Sequence, residues 1–179
     1  MRNMHHTPGT TQRHTAAPLY TPEQRARRDA TRWTLVQGIL APFQFAVFLI
    51  SFVLVLRYLS TGDGATAATV SIVVKTLTLY TIMITGSIWE KVVFGKWLFA
   101  PAFFWEDVFS MAVLALHTAY LVMLIGDLGT ERARMLLALV AYAAYAINAG
   151  QFVLKLRAAR LQSASQPPSQ STPSMAAVA

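Results

Sequence analysis

The chain has 179 residues, of which 55% are hydrophobic and only 13% are charged, and this composition excludes an ordinary soluble domain. The formal net charge is +7. A nucleic-acid-binding surface would also be basic, but here the basic residues flank apolar segments, so the charge indicates membrane topology and we expect no nucleic-acid partner. The chain contains no cysteine, which excludes disulfides and thiolate metal sites.

The N-terminal region has two parts. Residues 1–18 are polar without apolar periodicity, which predicts a disordered tail. Thr21, Pro22 and Gln24 then predict the start of a helix, with an N-cap, a proline at the first helical position and a capping box. This short basic helix is expected to lie at the membrane interface and to lead into the first span.

Four apolar runs are long enough to cross a hydrocarbon core of about 30 Å. They cover residues 36–56, 67–89, 102–125 and 133–154. Their short connections predict antiparallel neighbours. The expected fold is therefore an all-α, polytopic membrane protein with four transmembrane helices in an up-down bundle, occupying residues 19–161. Residues 162–179 are rich in Ser, Gln and Pro and predict a second disordered tail.

Lys and Arg residues near the span ends predict the orientation, because cytoplasmic loops hold the excess. One side has nine of them: Arg25, Arg27, Arg28, Arg32, Lys91, Lys96, Lys155, Arg157 and Arg160. The other side has three: Arg57, Arg132 and Arg134. The bias places both chain ends in the cytoplasm.

Polar side chains recur along each span. Lys75 lies in the second span, and Glu106, Asp107 and His117 lie in the third. On an ideal helix Glu106 and His117 fall within about 20° of each other, and Lys75 and His117 are expected at similar depth. Hydrocarbon penalises such groups, so the stripes should converge on a shared interior. The stripes of the first and fourth spans consist of Gln37, Gln44, Ser51, Tyr142, Tyr145, Asn148 and Gln151.

Structural roles are open for all of these residues. The amides and hydroxyls can serve as interhelical hydrogen-bond partners. Lys75 can neutralise a carboxylate, and Glu90, Glu106 and Asp107 can act as interfacial anchors. His117 can be a hydrogen-bond donor, a metal ligand or a proton carrier.

The most distinctive segment is residues 74–120, which includes GSIWEKVVFG at residues 86–95 and FFWED at residues 103–107. With residues 19–29, 33–45 and 148–152, it resembles the 3-vinyl bacteriochlorophyllide hydratases of purple photosynthetic bacteria. The resemblance implies addition of water to the C3 vinyl group of a magnesium tetrapyrrole, giving a 1-hydroxyethyl group in bacteriochlorophyll a synthesis. It also implies no cofactor, a bacterial inner or intracytoplasmic membrane, and other enzymes of the pathway as partners.

Residue roles follow from the chemistry of that reaction. Hydration requires an acid that protonates the terminal vinyl carbon and a base that takes a proton from water. A carboxyl group partly removed from water keeps its proton more readily, so Glu106 is the first choice for the acid and Glu90 the second. Asp107, or the glutamate that is not the acid, is expected to orient the water. His117 is either an axial ligand to the substrate magnesium or the acid itself.

A dry aromatic slot should hold the macrocycle. The expected substrate-binding residues, besides His117, are Lys75, Trp89, Trp97, Phe103, Phe104, Trp105, Asn148 and Gln151. The main alternative is a pigment-binding or assembly subunit without turnover, in which these aromatic residues form a docking surface. A transporter would use the same buried ionisable residues, but the sequence has no evident inverted repeat.

Overall fold

The computed structural model describes residues 19–164, with side chains to residue 161. This part of the chain forms five helices: α1 Pro22–Ala30, α2 Arg32–Thr61, α3 Ala65–Phe94, α4 Phe104–Ile125 and α5 Glu131–Ala164. The predicted N-terminal tail lies outside the described residues. Helix α5 continues to Ala164, beyond the predicted boundary at residue 162, and the rest of that tail also lies outside.

The first helix begins as predicted. The backbone N–H of Gln24 donates to Thr21 Oγ1 at 3.2 Å, and the backbone N–H of Thr21 donates to Gln24 Oε1 at 2.9 Å, which completes the capping box. Thr31 ends α1 in an extended conformation, and its side chain accepts a hydrogen bond from the Trp33 N–H. The short basic helix is therefore separate from the first long helix.

The four long helices confirm the four predicted spans. The segments long and apolar enough to cross a membrane are Arg32–Thr61, Ala65–Phe94, Phe104–Ile125 and Glu131–Leu161. Three of them exceed the predicted apolar runs at both ends, because a helix can continue past the hydrocarbon core. The third begins at Phe104 rather than residue 102. The placement of both chain ends in the cytoplasm stays a prediction.

The bundle packs mainly as two antiparallel pairs, α2 on α3 and α4 on α5, with α2 also lying against α5. The side-chain amide of Gln37 donates to Thr85 Oγ1 at 2.8 Å, and Ser51 hydrogen-bonds to Ser71 and to the hydroxyl of Tyr142. These contacts confirm the interhelical role for Gln37 and Ser51. They also fix the register in which three helices place their interior side chains.

The two ends of the bundle differ. At one end α2 and α3 meet through a tight turn in which Gly62 and Gly64 take positive φ angles of 80° and 85°. At the other end α1, the connection at residues 95–103 and the end of α5 lie together with Glu90, Glu106 and Asp107. We call this end, defined by those three carboxyl side chains, the acidic rim.

Candidate active site

The connection between α3 and α4 is strained. Helix α3 ends at Gly95, which has a φ of 80°, and the chain then reaches Phe99, which has a φ of 58°. A bulky residue rarely adopts this left-handed conformation, and it persists only where the surroundings hold it. Here two carboxyl groups do so. The N–H of Phe99 donates to Asp107 Oδ2 at 2.7 Å, and the N–H of Ala100 donates to Glu90 Oε2 at 3.2 Å.

Glu90 and Asp107 form a carboxyl pair. Their side chains are 5% and 4% exposed, and they accept hydrogen bonds from the N–H groups of adjacent residues, Ala100 and Phe99. Two carboxyl groups buried beside each other disfavour two negative charges at once, so the pair is suited to hold one proton and one negative charge. The two successive backbone N–H groups can stabilise that charge. This arrangement can donate a proton and accept one.

Glu106 has a different environment. Lys155 Nζ lies 2.6 Å from Glu106 Oε2, with exposed side-chain fractions of 28% and 9%. The ammonium also lies 5.1 Å from the ring centroid of Phe103. The ammonium donates to Glu106 Oε2, so this side chain is suited to accept hydrogen bonds and to orient water. The sequence had indicated Lys155 only as a topology residue.

The predicted aromatic residues fall into two groups. Trp89 and Phe103 belong to an inner aromatic cluster, with ring centroids 5.7 Å apart. Its other members are Tyr20, Phe94 and Phe152. The cluster fixes α1 against the bundle, and burial raises the pKa of the Tyr20 hydroxyl. Trp89 Nε1 also donates to Thr34 Oγ1 at 3.0 Å.

The second group faces outward. Trp97 is 60% exposed and Trp105 is 66% exposed, and Phe99 and Phe104 are exposed beside them with ring centroids 5.8 Å apart. We call these four residues the outer aromatic surface. The structure thus separates the five predicted slot residues into two groups: buried Phe103 and partly buried Trp89 belong to a packed cluster, and the other three are exposed.

Lys75 and His117 lie in the middle of the bundle, at similar depth as predicted. Lys75 is fully buried, and its Nζ lies 3.8 Å from the ring centroid of Tyr145. Within residues 19–161 it has no carboxylate within salt-bridge distance, so the neutralising role has no support. The His117 ring lies 5.9 Å from the ring of Tyr142, and Tyr142 is one turn of α5 before Tyr145.

The protonation of His117 follows from its contact with the backbone. Its Nδ1 lies 2.8 Å from the carbonyl oxygen of Val113. Because a carbonyl only accepts, Nδ1 holds the hydrogen and Nε2 presents a lone pair. His117 is 1% exposed, so a substrate magnesium would reach Nε2 only if the helices separated. In the described part of the chain, no three His, Cys, Asp or Glu side chains are grouped so that they could bind a metal ion.

Asn148 and Gln151 connect the interior to the acidic rim. The Asn148 amide donates to Ser110 Oγ at 2.8 Å, while Asn148 Oδ1 and Gln151 Oε1 are buried without a hydrogen-bond partner among the described residues. Lys75 Nζ and His117 Nε2 are also buried without a hydrogen-bond partner among those residues. Each such group costs about 1–3 kcal/mol if it stays unsatisfied.

Comparisons with known proteins agree on one family. The sequence profile of the 2-vinyl bacteriochlorophyllide hydratases matches residues 20–158. The 2-vinyl bacteriochlorophyllide hydratase of Rhodobacter capsulatus is 64% identical over 159 residues, which are 89% of this chain and 92% of the relative. The protein of the same name from Cereibacter sphaeroides is 69% identical over 149 residues, which are 82% of this chain and 92% of the relative. No solved structure matches. The chain therefore belongs to the 2-vinyl bacteriochlorophyllide hydratase family.

Proposed function

We propose that this chain adds water across the vinyl group of a bacteriochlorophyllide. The 2-vinyl group in the relatives' names and the C3 vinyl group are one substituent, under the older and the current numbering of the macrocycle. The product has a 1-hydroxyethyl group in its place, as a step of bacteriochlorophyll synthesis. The carboxyl pair of Glu90 and Asp107 is the observation that best supports this chemistry.

The pair supplies the acid. It gives its proton to the terminal vinyl carbon, and the positive charge develops on the carbon attached to the macrocycle, where conjugation spreads it. Water attacks that carbon through oxygen, and the ionised pair takes one proton from the attacking water. The pair thus regains its starting protonation state, and one water has been added. Protonation of carbon is slow, so positioning contributes as much as acid strength.

The outer aromatic surface holds the macrocycle. Phe99 supports this assignment, because its ring belongs to that surface while its N–H bonds to Asp107. A flat apolar ring system on Trp97, Phe104 and Trp105 would therefore lie beside the carboxyl pair. The carboxylate of Glu106, held by Lys155, is suited to orient the attacking water.

The remaining predicted residues are assigned supporting roles. Lys75, His117, Asn148 and Gln151 lie inside the bundle, away from the outer aromatic surface, and a bound macrocycle in that position would not touch them. The membrane of this proposal is the bacterial inner or intracytoplasmic membrane. The basic residues near α1 and the end of α5 favour the acidic rim on its cytoplasmic side. There the rim could receive pigment from other enzymes of the pathway.

Product mass tests the proposal directly. Membranes containing the protein are incubated with a 3-vinyl bacteriochlorophyllide in oxygen-18 water, and the pigment is expected to gain one labelled water. Membranes with Glu90→Gln serve as the control and should bind the pigment without changing its mass. If both proteins bind the pigment and neither changes its mass, the chain is a pigment-binding or assembly subunit instead.

A further inference from the structure

Polar side chains form a line inside the bundle, and some of their atoms have no hydrogen-bond partner among the described residues. Gln151, Asn148, Tyr145 and Tyr142 lie in successive turns of α5, over about 13 Å of helix axis. Gln151 Oε1 and Asn148 Oδ1 are both buried without a hydrogen-bond partner among the described residues. This line begins at the acidic rim, since Gln151 is one turn from Lys155, the partner of Glu106.

The line continues onto the two neighbouring helices. Lys75 Nζ, from α3, lies 3.8 Å from the ring centroid of Tyr145. The His117 ring, from α4, lies 5.9 Å from that of Tyr142, and its Nε2 is buried with no hydrogen-bond partner among the described residues. Lys75 offers donors and His117 offers an acceptor at similar depth. Three helices therefore place complementary polar atoms along one path.

Water is the ligand that satisfies such atoms. A buried water typically makes about three hydrogen bonds to otherwise unsatisfied polar groups, and it accepts and donates equally well. Amide oxygens, an imidazole nitrogen and an ammonium together supply both kinds of partner. A metal ion is a poorer fit, because the line has a lysine and no carboxylate among the described residues.

The reaction needs water that the rim cannot easily receive from outside. Glu90 and Asp107 are only 5% and 4% exposed, and a macrocycle on the outer aromatic surface would cover the remaining approach. Resting on the proposed function, we infer that the bundle interior holds a column of ordered water, from Lys75 and His117 to Gln151, which supplies the reacting water to the acidic rim.

X-ray radiolysis with mass spectrometry detects such water without any turnover, because hydroxyl radicals form where bound water lies and oxidise the adjacent side chains. Tyr142 and Tyr145 are 1% and 7% exposed. They should nevertheless be oxidised at a rate approaching that of an exposed tyrosine. In Asn148→Leu the rate at both should fall by about three-fold or more, because an apolar side chain breaks the column. Thr78→Val, outside the column, is the matched control.

Gln151→Met interrupts the column at a second position, nearer the rim, in case Asn148→Leu fails to fold. Oxidation rates at Tyr142 and Tyr145 no higher than background in the unaltered protein would overturn the column. So would equal rates in the unaltered protein, Asn148→Leu and Gln151→Met. Neither result depends on hydration of the pigment, so the column can fail while the proposed function stands. If radiolysis shows the column but the pigment gains no water, the proposed function fails alone.

Discussion

The acidic rim and the middle of the bundle treat buried polar groups in opposite ways. At the rim each carboxyl group has a specific partner: Glu90 and Asp107 accept hydrogen bonds from two successive backbone N–H groups, and Glu106 binds Lys155. In the middle, Lys75 Nζ lies over the face of Tyr145 and has no hydrogen-bond partner among the described residues. The rim thus pairs its buried charged groups, while the middle leaves buried polar atoms unpaired.

The first test asks whether the rim faces the cytoplasm, and its expected effect is all or none. The chain has no cysteine, so single substitutions can be labelled without background. Lys96→Cys at the rim should resist a membrane-impermeant maleimide applied to intact cells, because the Lys and Arg bias places it inside. Asp63→Cys at the opposite end should react fully. In permeabilised cells both variants should be labelled. If only Lys96→Cys is labelled in intact cells, the bundle has the opposite orientation.

The second test separates the carboxyl pair from Glu106. Glu90→Gln keeps the side-chain shape but removes the shared proton, so turnover should fall by about 10²- to 10⁴-fold. Glu106→Gln removes a proton acceptor but leaves the pair, and a fall of about ten-fold is expected. Pigment binding, measured by fluorescence quenching, should change little in either variant.

A loss of turnover in Glu106→Gln as large as that in Glu90→Gln, with binding intact, would return the acid role to Glu106. Asp107→Asn tests the same point independently. Because the proposed acid is the pair and not one carboxyl group, Asp107→Asn should match Glu90→Gln rather than Glu106→Gln.

The two regions also differ in how much the sequence predicts. The four spans were predictable because hydrocarbon thickness sets the length of an apolar run, and the start of α1 because a capping box is local. The shared depth of Lys75 and His117 followed from helical rise alone. Each of these predictions depends on a single helix or on the length of an apolar run.

The carboxyl pair could not be predicted in this way. Glu90 and Asp107 are joined by a connection whose path depends on the positive φ of Phe99, and no periodicity in the sequence encodes that path. The ion pair of Glu106 with Lys155 depends on how α4 meets the end of α5. Helical periodicity placed Glu106 and His117 on one face of the helix, but it did not reveal the ammonium beside Glu106.

The third test measures the ion pair of the rim. Lys155→Met leaves the Glu106 carboxylate buried without its cation. Since Lys155 is 28% exposed, we expect a loss of about 1–2 kcal/mol, lowering the melting temperature in detergent by about 2–8 °C. The double variant with Glu106→Gln should recover much of this loss, because no unpaired charge remains. Equal melting temperatures for the single and double variants would mean that the two residues do not interact.

The smallest effect is expected in the middle of the bundle. Lys75→Met replaces a buried amine that lacks a carboxylate by an apolar side chain of similar length, so the desolvation cost disappears with little loss of packing. The melting temperature should stay unchanged or rise by about 2–4 °C. Exposed Lys96→Met, which removes the same charge from the surface, is the matched control and should change little. A clear fall in the melting temperature of Lys75→Met would mean that Lys75, like Lys155 at the rim, holds helices together through its charge. If Lys75→Met is at least as stable as the unaltered protein, the buried charges that stabilise this protein are those of the acidic rim.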